Sequence, residues 1–257
     1  REWLAQVRAH RASYRLHVQQ AEARERSGQA AAEQLRADVE LDVARCFPEA
    51  ACLQAPEAAA ALRQLLLAYA EQRRERLSEG GAGSGLQRPH GYRQGLHELA
   101  AALLLACWQG SWPPPEGAGP AEAEEAGGGL DEGDLELYAE LARADEAPAD
   151  ALALLVALLH GCHLIDMYEP DAPAGGEAAV VTRCRKIVED LRRVAPDLAL
   201  EVDGWGISPH VLLLRWLRLL FLRELAFPED ALAAWDALFA HAAAAGAAPP
   251  WAEAAEP

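Results

Sequence analysis

The stretch "GYRQGLHELAAALLLACW", residues 91–108, holds a turn bounded by glycines followed by an almost wholly apolar run. A helix that is apolar all round cannot face water, so this one must lie inside the molecule, covered by other helices. Working outward, residues 58–77, "AAAALRQLLLAYAEQRRERL", carry an apolar stripe through Leu62, Leu65, Leu66 and Tyr69 at helical spacing. Residues 1–38 have the charged, Ala- and Gln-rich pattern of long solvent-facing helices, broken around Ser27-Gly28. Towards the other end, a helix is expected around 180–195, and 207–241 reads as a helix, a Pro-marked corner near Pro228 and a second helix. Ala and Leu dominate and β-branched residues are thin apart from runs such as "AVVTRCRKIV" at 179–188, so the chain is read as all-α.

Three tracts interrupt the helices. "SEGGAGSGLQRPH", residues 78–90, reads as a Gly/Ser loop, 109–133 as a disordered acidic insertion rich in Pro and Gly, and 170–176 as a second Pro/Gly loop. A length of 257 residues is enough for one large domain or two packed lobes. The net charge of −17 argues against a nucleic acid or an anionic membrane as the main partner. Lys186 is the only lysine, so the abundance of arginine reflects composition and points to no chemistry by itself. Five scattered cysteines fit a reducing compartment, and "HGCH" at 160–163 lacks a second cluster at ligand spacing, so no metal is assigned. No apolar run reaches the roughly 18 residues that span a bilayer. The chain opens inside a helix and is read as a fragment of something longer.

Two short motifs carry the chemistry. In "VELDVARCFP", residues 39–48, Val39, Asp42 and Cys46 share one helical face, and Pro48 stops the helix so that Arg45 falls in its last turn or just beyond. Asp42, three residues earlier, is within reach of the guanidinium. In "GYRQG", Gly91 and Gly95 permit a sharp turn, Tyr92 anchors it, and Gln94 is presented outward. An Arg and a Gln exposed at loop edges suit GTP hydrolysis: a cation offsets the charge that develops on the phosphates, and an amide orients the attacking water. Neither group has to change its protonation state.

These motifs, in this order, resemble the IxxDxxR and YxQG motifs of the TBC domain of Rab GTPase-activating proteins. Further wording agrees, including "DVARCFPE", "GLHELAAALLL" and "LLRWLRLLFLRELAFPEDALAAWDALFA" with its Arg215-Trp216, Leu219-Leu220-Phe221, Arg223-Glu224 and Trp235-Asp236 pairs. Within that family the Gln-Gly-x-His-Glu wording is similar to the group of TBC1 family member 5. The resemblance covers roughly residues 1–243. It implies a single all-α, V-shaped TBC domain over 1–257, with an N-terminal lobe of about 1–165 carrying both motifs and a C-terminal lobe of about 177–243.

The resemblance further implies a protein that is no stand-alone enzyme but supplies two fingers in trans to a Rab-family GTPase in its GTP state. Arg45 would neutralise charge between the β- and γ-phosphates, and Gln94 would position water in place of the GTPase's own glutamine. Asp42 would fix Arg45, while Val39, Tyr92 and Gly95 support the two segments. The activator would be a monomer without a cofactor, GTP and Mg belonging to the partner. Its setting would be cytoplasmic, peripheral to endosomal or other trafficking membranes, with the cilium as a further location. Val39 stands where the family usually has isoleucine, and the family's early RxxxW helix is absent. Two other functions remain beside GTPase activation: a non-catalytic Rab-binding or scaffold module, and a helical interaction domain unrelated to GTPases. Trp216 and Trp235 read as core residues, and Arg215 and Arg223 as partners in buried ion pairs with Glu224 or Asp236.

Overall fold

The computed structural model describes residues 2–79, 91–111, 132–161, 164–168 and 178–244. The loops expected at 78–90 and 170–176 fall almost wholly outside these residues, as do 112–131 of the expected insertion and Cys162 and His163 of the HGCH stretch. All regular structure among the described residues is helical, as the composition predicts. The chain divides into two compact units, residues 1–156 and 157–257, which places the division earlier than the lobe boundary expected near 165.

The first unit contains α1 (Glu2–Arg26), α2 (Ala30–Ala44), the single turn α3 (Ala51–Gln54), α4 (Pro56–Glu79), α5 (Leu96–Gln109), α6 (Glu132–Leu141) and α7 (Ala147–Val156). Its centre is α5. Leu96, Leu99, Leu104 and Ala100 to Ala102 are fully buried, Leu103 and Leu105 nearly so, and α2, α4 and α7 pack around them. Each buried leucine contributes roughly 1.5–3 kcal/mol, which is why the apolar run predicts the centre of the unit so directly. The predicted stripe of α4 is buried as well, with Leu62, Leu65, Leu66 and Tyr69 at most 2% exposed.

Two local expectations need correction. Helix α1 is not simply solvent-facing: it lies on α4 and α7 and buries Arg11, Tyr14, His17 and Ala21, a stripe at helical spacing. The stripe escaped an apolar count because half of it is polar. Arg11 donates to both oxygens of Asp150, at 2.9 and 2.7 Å, and to the carbonyls of Glu140 and Leu141. Tyr14 donates to Gln64, and His17 meets Glu75 at 2.9 Å. Burial is affordable for such groups only when they are partnered in this way. The second correction concerns the acidic insertion, whose last residues, Glu132 and Gly133, already belong to α6.

The second unit contains a π turn (Ala157–Gly161), a 3-10 turn (Leu164–Met167), α8 (Ala179–Val194), α9 (Pro196–Gly204), α10 (Pro209–Leu219) and α11 (Pro228–Ala244). Cys184 and Val188 of α8 pack on Leu213 of α10, with Trp216 beside them. Helix α10 ends at Leu219, well before the corner expected at Pro228, because Leu220 and Phe221 both adopt positive φ, 47° and 64°. Two consecutive left-handed non-glycine residues are strained and persist only where neighbours over-determine them. The Phe221 amide donates back to the Trp216 carbonyl at 3.2 Å, the Trp216 and Phe221 rings lie 5.7 Å apart, and the Trp235 indole N–H donates to the Leu220 carbonyl at 2.7 Å. Trp235 is 2% exposed and Trp216 half-buried, in keeping with a core role. Arg215 pairs with Glu224 at 2.7 Å as expected, but on the surface, because position 215 faces away from the α8 contact.

Candidate functional site

Arg45 is the residue at which α2 ends. Its φ of −107° lies outside the helical region, and its amide reaches back to the Asp42 carbonyl at 3.3 Å. Val39, Asp42, Val43 and Cys46 face inwards. Arg45 itself keeps 55% of its side chain exposed, and Nη2 donates to Asp42 Oδ1 at 2.5 Å. The chain then turns through Phe47, which is fully buried with φ at 41°. Gln54, on α3, clamps that turn by donating from Nε2 to the carbonyls of Cys46 at 2.6 Å and Phe47 at 3.1 Å. Two bonds from one amide hold a strained aromatic residue directly behind the arginine.

The second segment is a glycine-bounded turn. Gly91 has φ at 56°, a conformation that glycine adopts without strain, and it lies close under the flexible Arg73 side chain. Gly95 has φ at 100° and ψ at −24°, caps α5, and lets the chain enter the helix immediately after Gln94. Between the glycines Tyr92 is buried, Arg93 half-buried and Gln94 exposed.

Asp42 joins the two segments. It is 6% exposed, and Oδ2 accepts the Tyr92 hydroxyl at 2.6 Å while Oδ1 accepts Arg45. Burial, and next the bond to Asp42, push the Tyr92 hydroxyl well above the ordinary tyrosine range, so it remains a donor at any relevant pH. His97 stands on the same carboxylate, with Nδ1 at 3.3 Å from Oδ2. The Cys46 thiol reaches the His97 carbonyl at 3.7 Å. Thus the end of α2 and the start of α5 are tied through the Tyr92–Asp42 and Cys46–His97 bonds, with the imidazole beside the same carboxylate.

All six residues singled out from the sequence, Val39, Asp42, Arg45, Tyr92, Gln94 and Gly95, belong to these two segments. Val39 is fully buried and serves packing. Gln54, Phe47 and His97 were not foreseen. His97 left a signal: a polar residue between Leu96 and Leu99 in a helix bound for the interior must find a polar partner. Gln54 and Phe47 left none, since a backbone clamp and a positive φ at Phe are not visible in residue type.

The site therefore consists of an exposed guanidinium and an exposed amide, each on a turn whose base is anchored in the interior. Among the described residues no group of three His, Cys, Asp or Glu could hold a metal ion, and no helix is long and apolar enough to cross a membrane. The arrangement can offer a positive charge and a hydrogen-bonding amide to something that docks on it.

Comparison with known proteins bears on the family and the fold. TBC1 domain family member 5 of Mus musculus and of Homo sapiens are each 28% identical over 230 residues, 80% of this chain. The chain spans about a quarter of the length of these curated relatives, 24% and 25% respectively. Among solved structures, the crystal structure of the Ypt/Rab-GAP domain of Gyp1p superposes with a TM-score of 0.56 at 15% identity, covering 84% of this chain and 57% of that one, which shows a shared fold. The family model of the Rab-GTPase-TBC domain matches residues 2–246, nearly the whole sequence, and the chain belongs to that family.

Proposed function

We propose that this chain is a GTPase-activating protein for a Rab-family small GTPase, acting in trans through Arg45 and Gln94. The observation that carries the reading is the shared anchor: one buried carboxylate, Asp42, holds both the arginine and the tyrosine beneath the glutamine turn. Fixing both segments on one group sets their separation before a partner arrives, and preorganisation of that kind is where catalysis by positioning gains its rate. A guanidinium has five N–H donors and the bond to Asp42 uses one, so Arg45 can be oriented by the protein and still meet phosphate oxygens. Gln94 offers a carbonyl oxygen to the attacking water and an amide N–H to a backbone or phosphate acceptor.

The partner in this reading is in its GTP state and brings GTP and Mg with it, and the activator is a monomer that needs no cofactor. Its workplace is the cytoplasmic face of endosomal or other trafficking membranes. The test is single-turnover GTP hydrolysis by a panel of purified Rabs with catalytic amounts of the wild-type chain, Arg45→Ala and Gln94→Ala. At least one Rab is accelerated, and Arg45→Ala loses about 10³–10⁵ of that acceleration, the range of an arginine finger. A panel in which some Rabs bind but none is accelerated would replace activation with a scaffold role.

A further inference from the structure

His97 has no part in the reading above, yet it sits where the two segments meet. Its side chain is 3% exposed. Nδ1 lies 3.3 Å from Asp42 Oδ2 and 3.5 Å from the Tyr92 hydroxyl, and it accepts the Gly95 amide at 3.4 Å. One ring nitrogen thus faces both the carboxylate that holds Arg45 and the backbone amide of the turn that carries Gln94. These two bonds exclude each other. An unprotonated Nδ1 can accept from Gly95 but offers only a lone pair to Asp42; a protonated Nδ1 can donate to Asp42 but has nothing to accept with.

We propose that His97 is a positioning residue that exchanges these two bonds with its charge state. Neutral, with its proton on Nε2, it holds the Gly95 amide and keeps the Gln94 turn in register. Taking up a second proton from solvent at Nδ1, it donates to Asp42, strengthens the carboxylate's hold on α5 and releases the Gly95 amide. Acid then loosens the glutamine finger while leaving the arginine anchored. This inference rests on the two-finger reading.

The surroundings of the ring favour such an exchange. From α2 it faces Asp42, with Arg45 on the far oxygen of the same carboxylate; from the residues after α2, the Cys46 thiol meets its carbonyl. From the turn it faces the Tyr92 hydroxyl, and on its own helix Glu98 Oε1 lies 3.9 Å from Nε2. Arg73 of α4 is turned to Gly91, at the opposite end of the turn, and Asp150 of α7 acts on Cys107, at the opposite end of α5. Asp42 and Glu98 thus place a carboxylate beside each of the two ring nitrogens, at 3.3 and 3.9 Å.

The experiment follows GTP hydrolysis by a responding Rab from about pH 8 to about pH 5, the span in which imidazole ordinarily titrates. Wild type, His97→Asn and Arg45→Ala are compared, with the Rab's unassisted rate subtracted and binding to Rab loaded with a non-hydrolysable GTP analogue measured in parallel. Asn places an amide near the Nδ1 position and does not titrate. The wild-type acceleration falls roughly five- to tenfold on acidification, the effect of losing one hydrogen bond, with binding unchanged. His97→Asn shows a flat profile. Equal profiles for the two proteins overturn the proposal.

A second measurement needs no variant and no Rab. Ring nitrogen and Gly95 amide resonances of the wild-type chain are followed by NMR over the same range. A neutral ring with its proton on Nε2, and a Gly95 amide that shifts as the ring charges, is the expected result. A neutral ring with its proton on Nδ1, or a Gly95 amide indifferent to the titration, overturns the switch. Failure of the two-finger reading looks different: no Rab is accelerated, or Arg45→Ala matches wild type, while the NMR result stands on its own.

Discussion

The two units of this chain keep their structure in different ways. All six buried polar side chains among the described residues, Arg11, His17, Asp42, Glu71, His97 and Ser111, belong to the first unit. Of the large apolar side chains left exposed among the described residues, twice as many belong to the second, including Val194 at 84%, Leu200 at 70% and Val211 at 66%. In the first unit, separate elements are registered by polar pairs anchored in the interior: Glu71 of α4 holds Arg24 of α1, Asp150 of α7 holds Arg11 of α1, and Asp42 of α2 holds Tyr92 of the turn before α5. In the second, register depends on aromatic packing and on side chains that bond to carbonyls, as Tyr168 does to Arg218, Arg218 to Met167 and Trp235 to Leu220. A polar interior tolerates few alternative arrangements, since any slip leaves a charge unpartnered. The lesson is that the candidate fingers occupy the unit whose interior specifies position most tightly.

The contrast can be broken from either side. The largest effect on stability is expected at Trp235→Ala, which removes a fully packed ring and leaves the strained Leu220 carbonyl without its donor; the second unit should lose about 3–5 kcal/mol by urea unfolding. If Trp235→Phe, which keeps most of the volume, costs as much, the hydrogen bond rather than the packing holds that corner. Next comes Asp42→Ala. It strands the Tyr92 hydroxyl in the interior and frees Arg45, so unfolding should become easier by about 2–3 kcal/mol, and Rab GTPase activation should fall at least as far as in Gln94→Ala. An Asp42→Ala protein of unchanged stability and activity would show that the first unit does not depend on its buried charges. The smallest effect is assigned to Gln54→Ala. Loss of the two bonds behind Arg45 should cost about 1 kcal/mol and lower activation severalfold through the mobility of Arg45, with Rab binding little changed.

Where pattern and chemistry coincide, the sequence was a good guide. The apolar run of α5 and the stripe of α4 are buried as their periods require, and the breaks at Ser27-Gly28 and after Arg45 fall where Gly and Pro place them. Reading failed where burial depends on a partner far along the chain. Arg11 looked like a solvent residue because its acceptors, Asp150 and the carbonyls of Glu140 and Leu141, are about 130 residues away. The early end of α10 was hidden for a different reason: Leu and Phe rarely take positive φ, and the nearby Trp235 bond and Trp216 ring contact that accompany it here are set by packing rather than by residue type.

The candidate site divides along the same line. Residue types and spacing placed Asp42 within reach of Arg45 and gathered Tyr92, Gln94 and Gly95 in one turn, because helical spacing and glycine conformation are local properties of a chain. That Asp42 serves both segments at once, that Gln54 braces the turn behind Arg45, and that His97 stands between the carboxylate and the Gly95 amide required the folded interior. Some 50 residues separate Asp42 from Tyr92 and His97, and a hydrogen bond over that interval is chosen by how helices pack rather than by any period in the sequence. Local pattern told which side chains could act; tertiary packing decided which of them share an anchor.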